Sequence, residues 1–221
     1  MRFRKAYILI LLATFFLTGC SKKISTKPST NKHKSTNKGI TAIDAWQKIK
    51  PEADKWSQNY KITQIRDISV ADTQRIDGRS FGWQFYLEDC SQYYTGSMSN
   101  LCRTGKSKTF YFRSGKMVAE PAGVTADKQT NMPSGRTAFE AEKLKIDSDK
   151  AQNLARKAVG RSRNKNEEFV MTAYSKGGIA YWQVRRQCWI KGNRDHCDSH
   201  NGYSVYVNLE TGETYDKEPK N

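Results

Sequence analysis

The 221-residue sequence predicts an α+β protein. Two helix-plus-antiparallel-meander units are expected, each a small sheet with a helix packed on one face. Three observations lead there. A Trp-Gln strand recurs, as Phe81-Gly82-Trp83-Gln84-Phe85-Tyr86-Leu87 and again as Ala180-Tyr181-Trp182-Gln183-Val184-Arg185-Arg186. A stretch with apolar residues at helical spacing precedes each copy, and strands with period-two alternation follow it.

The chain opens with Arg2, Arg4 and Lys5, then an apolar run from Ala6 to Leu17. This is the basic and apolar pattern of a secretory signal, and it is too short for the roughly 20 residues of a membrane span. Leu17-Thr18-Gly19-Cys20 follows directly. It resembles the lipobox of bacterial lipoproteins, in which the cysteine thiol takes a diacylglyceryl group and becomes the first mature residue. Residues 1–19 are therefore expected to be a signal peptide, and Cys20 the lipidation site. Two or three acyl chains, at about 0.8 kcal/mol per buried methylene, would anchor the chain stably.

Residues 20–39 read as a tether. Lys22, Lys23, Lys27, Lys32, Lys34 and Lys38 stand among Ser, Thr and Asn with no acid. The formal net charge of +16 falls to +13 without the three signal-peptide cations and to +7 without these six lysines. Nearly half of the mature excess thus lies beside the lipid, as a solvated spacer that anionic headgroups can attract.

The first unit is expected over 40–121. Thr41 can cap a helix with Asp44 three residues on, and Ile43, Trp46, Ile49 and Ala53 fall on one face. Pro51 is expected to kink that helix or to start a second one. Tyr60 to Val70 reads as the first strand. Phe81, Trp83, Phe85 and Leu87 form the second stripe, Phe110 and Phe112 the third, and Met117-Val118-Ala119 a short fourth strand. Residues 122–136, with Gly123, Pro133 and Gly135, read as a linker.

The second unit is expected over 137–221, with Thr137 to Ile146 as an extra edge strand. Ser148 or Asp149 caps a helix carrying Ala151, Leu154, Ala155 and Ala158, and Gly160 stops it. Phe169 to Tyr174 is the next strand, followed by stripes at Ala180, Trp182, Val184 and at Val205, Val207, Leu209. Glu210-Thr211-Gly212-Glu213 turns into a last short strand. Aligning the copies places Thr109-Phe110-Tyr111-Phe112 against Tyr206-Val207-Asn208-Leu209.

Four cysteines remain after Cys20, and four allow three connectivities. Export implies an oxidising compartment. The repeat favours Cys90–Cys102 and Cys188–Cys197, one staple across the corresponding loop of each copy.

Ile146-Asp147-Ser148-Asp149-Lys150-Ala151, Leu154-Ala155, the tryptophan strand and Val207-Asn208-Leu209-Glu210-Thr211-Gly212-Glu213 resemble the PepSY family. Asn208 and Leu209 stand near that family's usual Asp-Ala. The resemblance covers residues 146–216, while 40–120 match in pattern and lack the Thr-Gly-Glu turn. It implies exported, mostly non-catalytic modules, many of them thought to inhibit peptidases or to bind and sense, and it offers no catalytic residues to transfer.

The residues themselves agree with a non-enzyme. His33, His196 and His200 are the only histidines. No nucleophile elbow, metalloprotease motif or phosphate-binding glycine pattern occurs. Glu88-Asp89 and Glu167-Glu168 are neighbours on strands, so their side chains point to opposite faces. Cys188, His196, Cys197 and His200 could bind zinc. Oxidation, and a first copy with cysteines but no histidines, favour a disulfide instead, so neither metal nor cofactor is expected.

Two basic and aromatic clusters remain. Tyr93, Tyr94, Arg103, Lys106 and Lys108 surround the first stapled loop. Arg185, Arg186, Trp189, Lys191, Arg194 and His196 surround the second. Arg103, Lys106, Arg185, Arg186, Trp189, Lys191 and Arg194 are the candidate binding residues, set against the plainer role of a solubilising surface. Trp83 and Trp182, within apolar stripes, belong to the core. The expected protein is a non-catalytic cell-envelope lipoprotein facing periplasm or exterior. It would be held to membrane lipid through Cys20 and bind an envelope protein or peptide. The alternative is a polyanion binder for lipopolysaccharide, anionic lipid, cell-wall polymer or DNA, without specific nucleic-acid recognition.

Overall fold

The structure, a computed structural model, describes residues 39–68, 77–91, 106–114, 123–127, 137–159, 167–188 and 204–219. The compact unit that holds them spans Thr36–Asn221. The signal peptide, the tether and Cys20 lie outside the described residues. Two helices, α1 (Ala42–Trp56) and α2 (Ser148–Val159), cover one face of an eight-stranded antiparallel sheet. The strands are β1 (Tyr60–Asp67), β2 (Gly82–Asp89), β3 (Ser107–Arg113), β4 (Gly123–Ala126), β5 (Glu167–Lys176), β6 (Ile179–Cys188), β7 (Ser204–Asn208) and β8 (Thr214–Tyr215). The class is α+β, and each half is a helix followed by an antiparallel meander, as the sequence predicts.

The two small sheets are in fact one. The order β4-β3-β2-β1-β5-β6-β7-β8 joins the halves edge to edge through β1 and β5. That seam is short, pairing Gln64–Arg66 with Thr172–Tyr174. Beyond it the strands part, and residues 137–139 fill the gap, bridging Phe139 to Ile62 and Thr137 to Ser175. The segment read as an extra edge strand therefore lies inside the sheet. It continues into a single 3-10 turn, Ala141–Lys143. β4 falls within the stretch read as a linker, with Val124 opposite Phe112. The short strand expected at Met117–Ala119 lies outside the described residues.

The helices form for the reasons their sequences give. Thr41 Oγ1 accepts from the Asp44 N–H at 3.3 Å, and Ala45, Trp46, Ile49 and Ala53 turn inward. α1 runs through Pro51 without ending. The hydrogen bond to the carbonyl four residues back is lost there, and burial on the flanking turns outweighs that cost. On α2, Ala151 and Ala155 are buried, Leu154 is half-buried and Ala158 is exposed. Gly160 lies outside the described residues.

The core is continuous across the seam. A β-bulge at Thr63 shifts the register of β1, so that Ile62 and Ile65, three apart, both face the helices. Trp83, Phe85 and Leu87 meet them from β2, and Ala173, Met171, Trp182 and Val184 from β5 and β6. Trp83 and Trp182, both fully buried, touch edge to face at 5.9 Å between centroids.

Equivalent contacts mark the duplication. Trp83 Nε1 donates to the Ile40 carbonyl at 2.9 Å, and Trp182 Nε1 to the Ile146 carbonyl at 2.8 Å. Each acceptor lies just ahead of its half's helix. Phe112 stands opposite Trp83 and Val207 opposite Trp182. Tyr111 thus corresponds to Tyr206, two positions from the sequence alignment, which set Thr109 there. A two-residue slip leaves every side chain on the same face, so alternation cannot detect it.

The second half also caps the helix of the first. The Ala42 N–H donates to Ser148 Oγ at 3.0 Å and the Ile43 N–H to Asp147 Oδ1 at 3.0 Å. Asp147 Oδ1 also accepts from its neighbour's N–H, at 2.6 Å, where α2 begins. Two helix starts, each carrying unpaired N–H groups and partial positive charge, converge on one carboxylate.

Candidate functional site

The helix-free face of the sheet differs sharply from the helix side. Alternation places Gln84 and Tyr86 of β2, Tyr111 of β3, Gln64 and Arg66 of β1, and Thr172 and Tyr174 of β5 on it. Tyr181, Gln183 and Arg185 of β6 and Tyr206 of β7 join them. Tyrosines, amides and arginines thus line this face, with Arg66 and Arg185 exposed and Gln64, Gln84, Tyr174 and Tyr181 buried. The duplication persists here: Gln84 Nε2 donates to Tyr111 Oη at 3.2 Å, and Gln183 Nε2 to Tyr206 Oη at 3.4 Å.

A cavity of about 220 Å³ opens on this face, lined by Gln64, Arg66, Val170, Thr172, Gln183 and Arg185. Its position follows from the topology. Ile65 faces Phe85 as Met171 faces Val184, and Arg66 pairs with Thr172, its counterpart in the second half, at one end of the seam. The cavity therefore begins at the local two-fold axis and runs toward the second half. Arg66 and Arg185 are exposed, and neither has an ion-pair partner among the described residues. Among the described residues no carboxylate lines the cavity. Two cations, two amides and a hydroxyl suit an anion that accepts hydrogen bonds.

Beside the cavity lies a tyrosine cluster under the C-terminal segment. Tyr174 and Tyr181 pack edge to face at 4.7 Å, and Tyr181 meets Tyr206 at 5.4 Å. Glu218 Oε1 accepts from the hydroxyls of both Tyr174 and Tyr181 at 2.9 Å, while Oε2 meets Lys176 Nζ at 2.7 Å. The Lys176 ammonium, helped by the two hydroxyls against partial burial, holds Glu218 below the usual carboxylate range. Burial, with the Glu218 carboxylate alongside, pushes Tyr174 up to about 12, and Tyr181 is pushed higher still. Both hydroxyls remain donors.

In the first half, Tyr111 donates to Asp127, and burial together with that carboxylate pushes it up to about 12. Glu88 is 9% exposed on the same face, and burial raises its carboxyl. Lys61, opposite Glu88 across the ladder, pairs with Glu140 at 3.3 Å.

The sequence-predicted binding residues distribute differently from the expectation. Arg185 lies on the helix-free face at the cavity, but Arg186, the next residue, faces the helix side with Val184. A strand cannot aim neighbours together, so the two do not form one basic patch. Lys106 is exposed just ahead of β3. Arg103, Trp189, Lys191 and Arg194 lie outside the described residues, as do Tyr93, Tyr94, His196 and His200. Arg66 and Gln64, which the sequence reading passed over, complete the cavity. Their signal was the alternation of β1, where Gln64 and Arg66 flank Ile65.

Cys90 is 1% exposed and disulfide-bonded. Cys102 and Cys197 lie outside the described residues, and Cys188 ends β6 without a described side chain. Among the described residues no group of three or more His, Cys, Asp or Glu is placed to hold a metal. No described helix is long and apolar enough to cross a membrane. No family model matches the chain, and neither the curated proteins nor the solved structures contain a match.

Proposed function

We propose that the chain is a lipid-anchored, non-catalytic protein of the cell envelope, PepSY-like in plan, that binds a protein or peptide partner on the helix-free face of its sheet. Lipidation at Cys20 and staples at Cys90–Cys102 and Cys188–Cys197 belong to this reading. The observation that carries it is the cavity at the seam, where Arg66 and Arg185 stand exposed without a counter-charge among the described residues. The helix side is committed to the core, so recognition falls to the opposite face. The polyanion reading draws on the same two arginines and predicts a much steeper loss of binding with salt.

A photo-crosslinking amino acid at position 172, in the cavity, tests the proposal against one at position 157, exposed on α2. In envelope preparations, discrete protein adducts are expected from 172 and not from 157. Adducts from 157 alone would place recognition on the helices and refute the assignment. Palmitate labelling that fails at Cys20 would remove the anchor.

A further inference from the structure

The cavity and the tyrosine cluster form one strip along β5 and β6. Tyr174 and Thr172 alternate down β5, and Tyr181, Gln183 and Arg185 down β6, all on the same side. At one end of the strip a carboxylate is already bound in cis, Glu218 on Tyr174, Tyr181 and Lys176. At the other end, Arg66 and Arg185 line the cavity with no carboxylate beside them among the described residues. Two strand spacings and two residues separate their backbones, about 12 Å, which two long side chains can close around one anion. Tyr181 and Arg185 are four residues apart on one strand, about 13 Å. An extended peptide repeats the same face at that interval.

We propose that this strip binds an extended acidic peptide segment whose carboxylates lie four residues apart. One carboxylate engages Arg66 and Arg185 at the cavity, and the other displaces Glu218 from the two tyrosine hydroxyls and Lys176. The inference rests on the partner-binding reading of the helix-free face and names the chemistry of the partner. The folded part's excess positive charge favours the same occupant. The C-terminal segment is then an internal competitor, weak because it supplies a single carboxylate.

The test uses the whole chain in detergent and fluorescence anisotropy of a labelled decapeptide with glutamates at positions four apart. Its glutamine counterpart serves as control. The acidic peptide is expected to bind about tenfold more tightly than the control. Arg66→Ala and Arg185→Ala are each expected to weaken it about fivefold. Glu218→Gln, which removes the competitor, should tighten it severalfold. Both arginines are exposed, so these variants are expected to fold, and circular dichroism verifies that. Unchanged preference for the acidic peptide in the arginine variants overturns the site, and unchanged affinity in Glu218→Gln overturns the displacement. Phosphatidylglycerol vesicles that outcompete the peptide, with the same arginine dependence, would assign the strip to lipid and overturn the peptide. Adducts from position 172 without acidic-peptide binding would sink the chemistry and leave the face. Loss of both would sink the face itself.

Discussion

Replacing Trp182 by Phe probes the junction between the halves. The indole is fully buried, and its N–H reaches the carbonyl of Ile146, itself 4% exposed. Phenylalanine keeps the ring contact with Trp83 in part but cannot donate. A buried carbonyl stripped of its donor costs about 1–3 kcal/mol. The missing indole atoms leave a void of a few tens of Å³, worth roughly 1 kcal/mol. Weakening of the edge-to-face contact adds up to ~1 kcal/mol. The expected total is about 3 kcal/mol, against roughly 2 kcal/mol for Trp83→Phe, whose bond to Ile40 is only partly buried. Urea unfolding followed by far-UV circular dichroism measures both. The double variant should show a coupling of about 0.5–1.5 kcal/mol because the rings touch. A loss below 1 kcal/mol for Trp182→Phe, or strict additivity of the pair, would refute the idea that these indoles fasten helices to sheet across one shared core. Two separate unfolding transitions would refute the shared core as well.

Three further outcomes follow from local geometry. Gly78 has φ +73°, and a Cβ there would run into the Asp149 backbone and the Ser148 carbonyl at the start of α2. Gly178, φ +78°, has open space. Gly78→Ala should therefore lose 3 kcal/mol or more, roughly, and Gly178→Ala about 1 kcal/mol, in the same urea assay, and equal losses would contradict the close approach. Burial raises the Glu88 carboxyl, so its favourable contribution is complete below the ordinary value of 4.5 and fades as pH rises through the folded-state value. Glu88→Gln is accordingly expected to stabilise at pH 7 by about 0.5–1 kcal/mol and to make no difference near pH 4, and destabilisation at pH 7 would show an unrecognised partner. Glu218 is held low, chiefly by Lys176, so its contribution is present above pH 4.5 and lost as pH falls through its depressed value. Limited proteolysis should then release the C-terminal segment in acid and spare it at pH 7, and release independent of pH would mean that the carboxylate does not fasten the segment.

Much of this architecture was legible because burial imposes period. Trp83 and Trp182 announced themselves as core by their stripes, and both helices by their spacing. The seam was not legible. Gln64-Ile65-Arg66 reads like any half-buried strand, and nothing local says that Thr172-Ala173-Tyr174 is its neighbour more than a hundred residues on. β4 hid for a related reason: Gly123-Val124-Thr125-Ala126 is short and flanked by turn residues, and its pairing with Phe110–Arg113 across the ladder is not visible locally. For the site, weight went to cations near the cysteines. Arg185 lies at the cavity, while the alternation of β6, already visible in the sequence, turns Arg186 to the other face. Arg66 needed the seam before its position on the axis meant anything.

The order of strands also governs how the sheet meets other chains. Pairing β1 with β5 joins two strands that would otherwise end a sheet, and the outermost of the described strands are Gly123–Ala126 and Thr214–Tyr215, four and two residues long. Such stubs offer too few free amides and carbonyls to template intermolecular ladders. Ladder formation between neighbouring copies is thereby disfavoured at any local concentration.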